Sequence, residues 1–148
     1  MTIQWVGYGD LTQTKCQTLM CTTNTVGVMG AGIALSVRTR WPEVYQQYLE
    51  LYRCGLLDIH RLDVIPISDE QQVLLFPTKK SWRNASQKEW VTANLEQLAA
   101  DYEQLGITSL AMPLPGCGNG GIHPSWGTVE VYRHFAQHPL PVELYLGR

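Results

Sequence analysis

Short apolar runs alternate along this chain with stretches of helical period, the arrangement required by a sheet covered with helices on both faces. It predicts an α/β fold, with strands over residues 3–6, 19–22, 59–65, 73–76, 109–112 and 142–146. After Gly32, Ile33, Val37 and Trp41 recur every four residues until Pro42, which lacks the amide hydrogen of a helix interior but suits a first turn. Two helices are therefore expected there, the second presenting Val44, Tyr48 and Leu51 and stopping at Gly55. Ser86 and Glu89 have the spacing of a capping box ahead of an apolar stripe of Val91, Leu95, Leu98 and Tyr102, which ends before Gly106. A last helix is expected from Pro124 or Ser125, with Val129, Tyr132 and Phe135 or Ala136 facing inward, stopping before Pro139.

The chain has 148 residues, of which 45% are hydrophobic and 16% charged, enough for one core and one domain over 1–148. Eleven basic against thirteen acidic side chains leave a formal charge of −2, which excludes a surface that tracks phosphates along its whole length. Any nucleic-acid contact must be local. The four cysteines, at 16, 21, 54 and 117, form no C-x-x-C pair, and no histidine stands at ligand spacing from them, so no metal and no disulfide framework is expected. The opening MTIQWVGYGD lacks a basic start followed by an apolar stretch, so no secretory leader is expected and a cytoplasmic location is. The low-charge stretches at 16–37 and 104–129 are too rich in Thr, Asn, Gly and Pro for a membrane span.

Seven of the thirteen glycines fall in two clusters, Gly27-Val28-Met29-Gly30-Ala31-Gly32 and Gly116-Cys117-Gly118-Asn119-Gly120-Gly121, each just beyond an expected strand. Glycine lets main-chain amides converge on an anion, and a helix start adds its positive end. One such cluster is as readily a tight turn; two at strand ends suggest a diphosphate cradle. The first reads G-x-x-G-x-G rather than the dinucleotide fingerprint G-x-G-x-x-G, and no G-x-x-x-x-G-K-[ST] is present.

Between the clusters, residues 71–88 hold Lys79, Lys80, Arg83 and Lys88 and no acid. A solvated loop is one reading. The other starts from Phe76-Pro77-Thr78, which sets Lys79 just past an apolar strand, at the edge where α/β folds bind ligands, with Lys80 as a neighbouring charge that tunes its amine. Asp10, after Gly9 and beside Leu11, either caps a turn or accepts from an exocyclic amine such as that of adenine. Asn24 either holds a ribose hydroxyl or fixes its own turn. Cys117, with no histidine at useful spacing, reads as a small packing residue, and His60, His134 and His138 as surface or capping residues; His123, beside the second cluster, is a candidate acid or base.

These residues together resemble the macrodomain family, which binds ADP-ribose. The Gly9-Asp10-Leu11 step, the loop from Asn24 to Ala34, Phe76-Pro77-Thr78-Lys79 and Pro113-Leu114-Pro115 followed by the second glycine cluster occur in the family's order. Within it the chain looks most like the branch of DarG-type antitoxins, which remove ADP-ribose from thymidine in DNA, and the related glycohydrolases of ADP-ribosyl glutamate; the lysine after the fourth strand is the branch marker. The resemblance implies a three-layer α/β/α sandwich with a mixed sheet. It also implies that Asp10 and Leu11 meet adenine, Asn24 the distal ribose, and Gly30, Ala31, Gly32, Ile33 and Ala34 with Gly116, Cys117, Gly118, Asn119, Gly120 and Gly121 the diphosphate. Lys79 aligns with the lysine implicated in hydrolysis, either as attacking amine or as a cation stabilising the departing base. Lys80, Trp82, Arg83 and His123 are possible substrate contacts, Trp82 being equally a packing residue under its loop.

Three positions depart from the pattern. Gly120 stands where protein-directed relatives have an acid, which favours the DNA-directed branch. His123 replaces an acid, and Ala31 a frequent lysine. The expected partner is ADP-ribose on a short single-stranded DNA segment, handled by a monomer without cofactor, metal or membrane, and without the toxin-blocking domain of the antitoxins. A noncatalytic binder of ADP-ribose or a derived signalling nucleotide, and a hydrolase of ADP-ribosylated protein side chains, are the alternatives.

Overall fold

The computed structural model describes residues 3–147. Its frame is a six-stranded sheet of order β1-β6-β5-β2-β4-β3. The strands are β1 (Ile3–Tyr8), β2 (Thr18–Asn24), β3 (Asp63–Pro66), β4 (Gln72–Lys79), β5 (Leu110–Met112) and β6 (Val142–Gly147). All neighbours pair in parallel except β3, which runs antiparallel to β4, so the sheet is mixed. Helices α1 (Gly32–Arg40) and α2 (Pro42–Arg53) cover one face, and α3 (Lys88–Asp101) and α4 (Pro124–Phe135) the other. The result is a three-layer α/β/α sandwich.

Alternation along β4 shows why both faces need cover. Val73 and Leu75 join the cluster under α1 and α2 with Val37, Val44 and Tyr48, while Leu74 and Phe76 join the cluster under α3 and α4 with Val91, Leu95 and Phe135. Successive side chains of a strand point to opposite faces, so a strand apolar at consecutive positions must be buried twice. Pro42 occupies the first turn of α2, and Gly55 takes φ +70° after its end, which gives the two-helix break and the stop expected of this segment.

Three local expectations do not hold. Residues 59–62 are not strand: Asp58 turns the chain by accepting from the main-chain nitrogens of His60 and Arg61, so β3 starts only at Asp63 although Ile59 is buried. Ser86 does not cap α3, whose N-cap is Gln87 with no side-chain bond. Its main-chain nitrogen donates instead to Gly120 O at 2.9 Å, which draws it out of capping position. On α4, Phe135 is buried and Tyr132 and Ala136 pack against the core as expected, but Val129 is 64% exposed, and Gly127, Glu130 and Val131 face inward instead. The Glu130 carboxylate is tolerated there because Thr92 of α3 donates to it at 3.1 Å and Arg133 pairs with it. None of the helices among the described residues is long and apolar enough to cross a membrane.

Candidate active site

Because β1, β6, β5, β2 and β4 are mutually parallel, their carboxyl ends share one edge of the sheet, where the loops leading to α1, α3 and α4 also begin. Ligands of open α/β sheets bind in the crevice beyond those ends. A cleft of about 1050 Å³ lies there, large enough for a dinucleotide-sized ligand.

One wall is the start of α1. Ala31 is its N-cap in extended conformation, with no side-chain bond to the first turn and no acid within it. The first intrahelical amide is that of Leu35, which donates to Ala31 O at 3.2 Å, so the amides of Gly32, Ile33 and Ala34 have no helical acceptor. Gly30, Ala31, Gly32, Ile33 and Ala34 all line the cleft. An unfilled helix start of this kind is an anion site.

The opposite wall is the second glycine cluster, which turns through left-handed conformations at Gly116, Gly118 and Gly121. Of the residues expected there, Gly116, Cys117, Gly118, Asn119 and Gly120 line the cleft and Gly121 does not. The two walls nearly touch: a Cβ on Gly32 would lie 3.3 Å from Asn119 Nδ2. Lys79 closes the third side, its Nζ donating to Asn119 O at 2.7 Å. One residue of the glycine loop thus meets both the start of α1 and the end of β4.

Beneath that loop the packing is tight. A Cβ on Gly120 would lie 2.5 Å from Ser86 Oγ, and this buried hydroxyl has no hydrogen-bond partner among the described residues. A Cβ on Gly127 would lie 2.6 Å from Cys117 Sγ, and burial pushes the Cys117 thiol above its ordinary range. Cys117 is therefore a protonated packing group at pH 7.

At the far end of the cleft, Asp10 caps a short 3₁₀ turn, its Oδ1 accepting from Thr12 N at 3.0 Å and Thr12 Oγ1 at 2.6 Å while the residue lines the cleft with Leu11. Tyr145 lies beside it, 3.5 Å from where a Gly9 Cβ would be, with its hydroxyl donating to Glu143 Oε1 at 3.1 Å. Sequence reasoning missed Tyr145 because only the pairing of β6 with β1 carries it to this end.

Asn24 lines the cleft beside Lys79, its partner in the β2–β4 register, and its side chain is extensively used. Its Nδ2 donates to Val28 O at 2.8 Å, and its Oδ1 accepts from Val26 N, Val28 N and the Tyr48 hydroxyl. It fixes the loop that delivers Gly30 and Gly32 to the cleft. Trp82 lines the mouth and is 52% exposed, so it does not lie packed under its loop. Lys80 and Arg83 lie outside the lining, their cations resting over Trp90 at 5.3 Å and Trp82 at 4.8 Å. His123 is also outside it: its Nδ1 accepts from Ser125 N at 3.1 Å and caps α4. Among the described residues no group of His, Cys, Asp and Glu is arranged to hold a metal.

Comparison with known proteins gives consistent matches. The model of the Macro domain matches residues 21–128. A protein of Thermus aquaticus named DNA ADP-ribosyl glycohydrolase is 38% identical over 117 residues, covering 77% of this chain and 32% of its own length. The solved macrodomain of Mycobacterium tuberculosis DarG superposes with a TM-score of 0.89 at 32% identity, covering 97% of each chain. Thermosipho africanus DarTG, solved in complex with ADP-ribose, does so with a TM-score of 0.85 at 32% identity, over 93% of this chain and 40% of that one. The chain spans between 32% and 40% of the length of the curated relatives it matches.

Proposed function

The chain belongs to the Macro domain family, and from that premise we propose that it binds ADP-ribose in the cleft and hydrolyses the bond joining ADP-ribose to thymidine in DNA. The observation that carries this reading is Lys79, held between the glycine walls by its bond to Asn119 O. The likeness to DarG macrodomains and to a relative solved with ADP-ribose supports it.

In this reading the diphosphate lies between the start of α1 and the Gly116–Gly120 turn, neutralised by main-chain amides rather than by cations or metal. Adenine lies toward Asp10, Leu11 and Tyr145, with the Asp10 carboxylate accepting from the exocyclic amine. The distal ribose then falls between Asn24 and Lys79, which are partners in the β2–β4 register. Asn24 reaches that sugar chiefly by shaping the loop around it, since its oxygen already accepts three protein donors.

Hydrolysis breaks the bond from the anomeric carbon of that ribose to a thymine nitrogen; water supplies the new oxygen and the base leaves with a proton. Clamping the diphosphate aims the reacting carbon, and orientation of this kind contributes up to about 7–11 kcal/mol. Lys79 contributes at the carbon as an amine or at the departing base as a cation. Lys79→Ala is expected to abolish release from an ADP-ribosylated thymidine oligonucleotide while ADP-ribose affinity, measured by calorimetry, changes by less than about threefold. Full activity in that variant sinks the catalytic role.

A second reading, a noncatalytic binder, is favoured by one observation: the glycine turn offers no acid beside Lys79, and Ser86 leaves no room for one on Gly120. Binding of ADP-ribose without release from modified DNA or protein would select it. Release from glutamate or aspartate esters alone would select a protein-directed hydrolase.

A further inference from the structure

The edge that carries the cleft continues outward into a set of indoles each met by a cation: Trp82 is exposed, while Trp90 and Trp126 are half-buried, Trp126 resting one side on the core under α3 and α4. Lys80 Nζ lies 5.3 Å from the Trp90 ring centroid, Arg83 Cζ 4.8 Å from that of Trp82, and Lys88 Nζ 5.6 Å from that of Trp126. Trp90 and Trp126 belong to the first turns of α3 and α4, neighbouring helices whose N-termini both open on the cleft edge, and Trp82 lines the cleft mouth itself. The three pairs therefore continue the site rather than form a separate feature.

Charge singles this edge out. Residues 71–88 and 113–129 contain no Asp or Glu, while the chain as a whole carries a formal charge of −2. The helix starts of α3 and α4 add their positive ends. Acids border both stretches: Glu70 and Glu89 are exposed on either side of the first, Glu89 in the first turn of α3, and Glu130 after the second is buried. Cations alone would attract any polyanion, but an indole interleaved with each one offers something only an unpaired base can use, a flat face for stacking. Paired bases in a duplex present no such face. A phosphate that draws a cation off its ring frees the indole for the adjoining base, so the two contacts form together.

We propose that Trp82, Trp90 and Trp126, with Lys80, Arg83 and Lys88, form a track for the unpaired nucleotides flanking the modified one, the cations taking phosphates and the indoles taking bases. It rests on the reading of the cleft as a site for ADP-ribosylated DNA and adds to it the residues that recognise the surrounding strand. Because the contacts are stacking and charge, the track is tolerant of sequence.

Binding and turnover test it separately. Tryptophan fluorescence is followed with an unmodified single-stranded oligonucleotide of about ten nucleotides, the matching duplex and an acidic peptide, at several salt concentrations. The single strand is expected to quench and bind best, with a salt slope of no more than about three ions, because few phosphates are neutralised. Lys80→Ala and Lys88→Ala should each lower that slope by about 0.7. Turnover is then compared between ADP-ribosyl thymidine as a lone nucleotide and within the oligonucleotide. The ratio of nucleotide KM to oligonucleotide KM should fall about tenfold in Trp90→Ala and in Trp126→Ala, and recover in the Phe variants, which keep a stacking face and guard against misfolding. Equal binding of strand and duplex, preference for the peptide, or an unchanged ratio in both Ala variants would overturn the track. If the strand binds as expected but neither substrate is cleaved, the track stands and the hydrolytic reading of the cleft falls.

Discussion

Gly120 shows how a single hydrogen atom can set the shape of a site. A Cβ there would stand 2.5 Å from Ser86 Oγ and 3.1 Å from Ser86 Cβ, while the adjacent main chains are joined by the bond from Ser86 N to Gly120 O. Overpacking of this kind costs roughly 1–3 kcal/mol, so Gly120→Ala is expected to lower the urea midpoint accordingly. Ser86→Ala removes a buried hydroxyl that has no partner among the described residues and is expected to be neutral or slightly stabilising. The double variant should recover a good part of the loss, and a double-mutant cycle reads that coupling directly. Strictly additive effects would show that the clash is relieved elsewhere. The same contact explains what spacing could not: Ser86 and Glu89 look like a capping box, yet the serine is held by a partner 34 positions away in sequence.

At the scale of an element, α4 shows how a residue singled out for chemistry can turn out to serve architecture. His123 adjoins the glycine turn, but its Nδ1 accepts from Ser125 N and its ring nitrogen also meets Ser125 Oγ at 2.8 Å. His123→Ala is expected to cost about 1 kcal/mol of stability, the usual worth of a side-chain N-cap, and to leave the rate of ADP-ribose release within about twofold. A large loss of release with stability intact would return His123 to the reaction. Period located α2 and its stop correctly because Val44, Tyr48 and Leu51 are apolar for the plain reason that they are buried or packed against the core. On α4 it placed Tyr132, Phe135 and Ala136 correctly against the core and missed at Val129, because the neighbouring Glu130 points inward, satisfied by Thr92 of α3 and by Arg133 of its own helix, and hydropathy cannot register a carboxylate whose partners are supplied by the fold.

For the molecule as a whole, the placement of the glycine clusters, Lys79 and Asp10 at strand ends was legible in the sequence, whereas the strand order that gathers those ends was not, since it depends on β6 returning between β1 and β5. The interior makes a pH prediction. Burial pushes the Cys21 thiol from 9.0 up to about 12, and Tyr48, in the same cluster, is also raised, desolvation being the main cause for both. A raised folded value means that the unfolded chain loses its proton first, so stability is intact below pH 9 and declines as pH rises toward 12. Each group contributes a slope of about 1.4 kcal/mol per pH unit in its window. Urea unfolding at pH 7 and pH 10 should show the fall, and Cys21→Val should flatten it; an identical decline in that variant would exclude the thiol. The parallel strands also decide where additions to the chain can be made. Strand β6 finishes at Gly147, which itself lines the cleft, while β1 starts at the opposite border of the sheet. A tag or fusion partner appended after Gly147 would sit on the doorstep of the binding site and crowd incoming substrate; one joined ahead of Ile3 would stay out of its way.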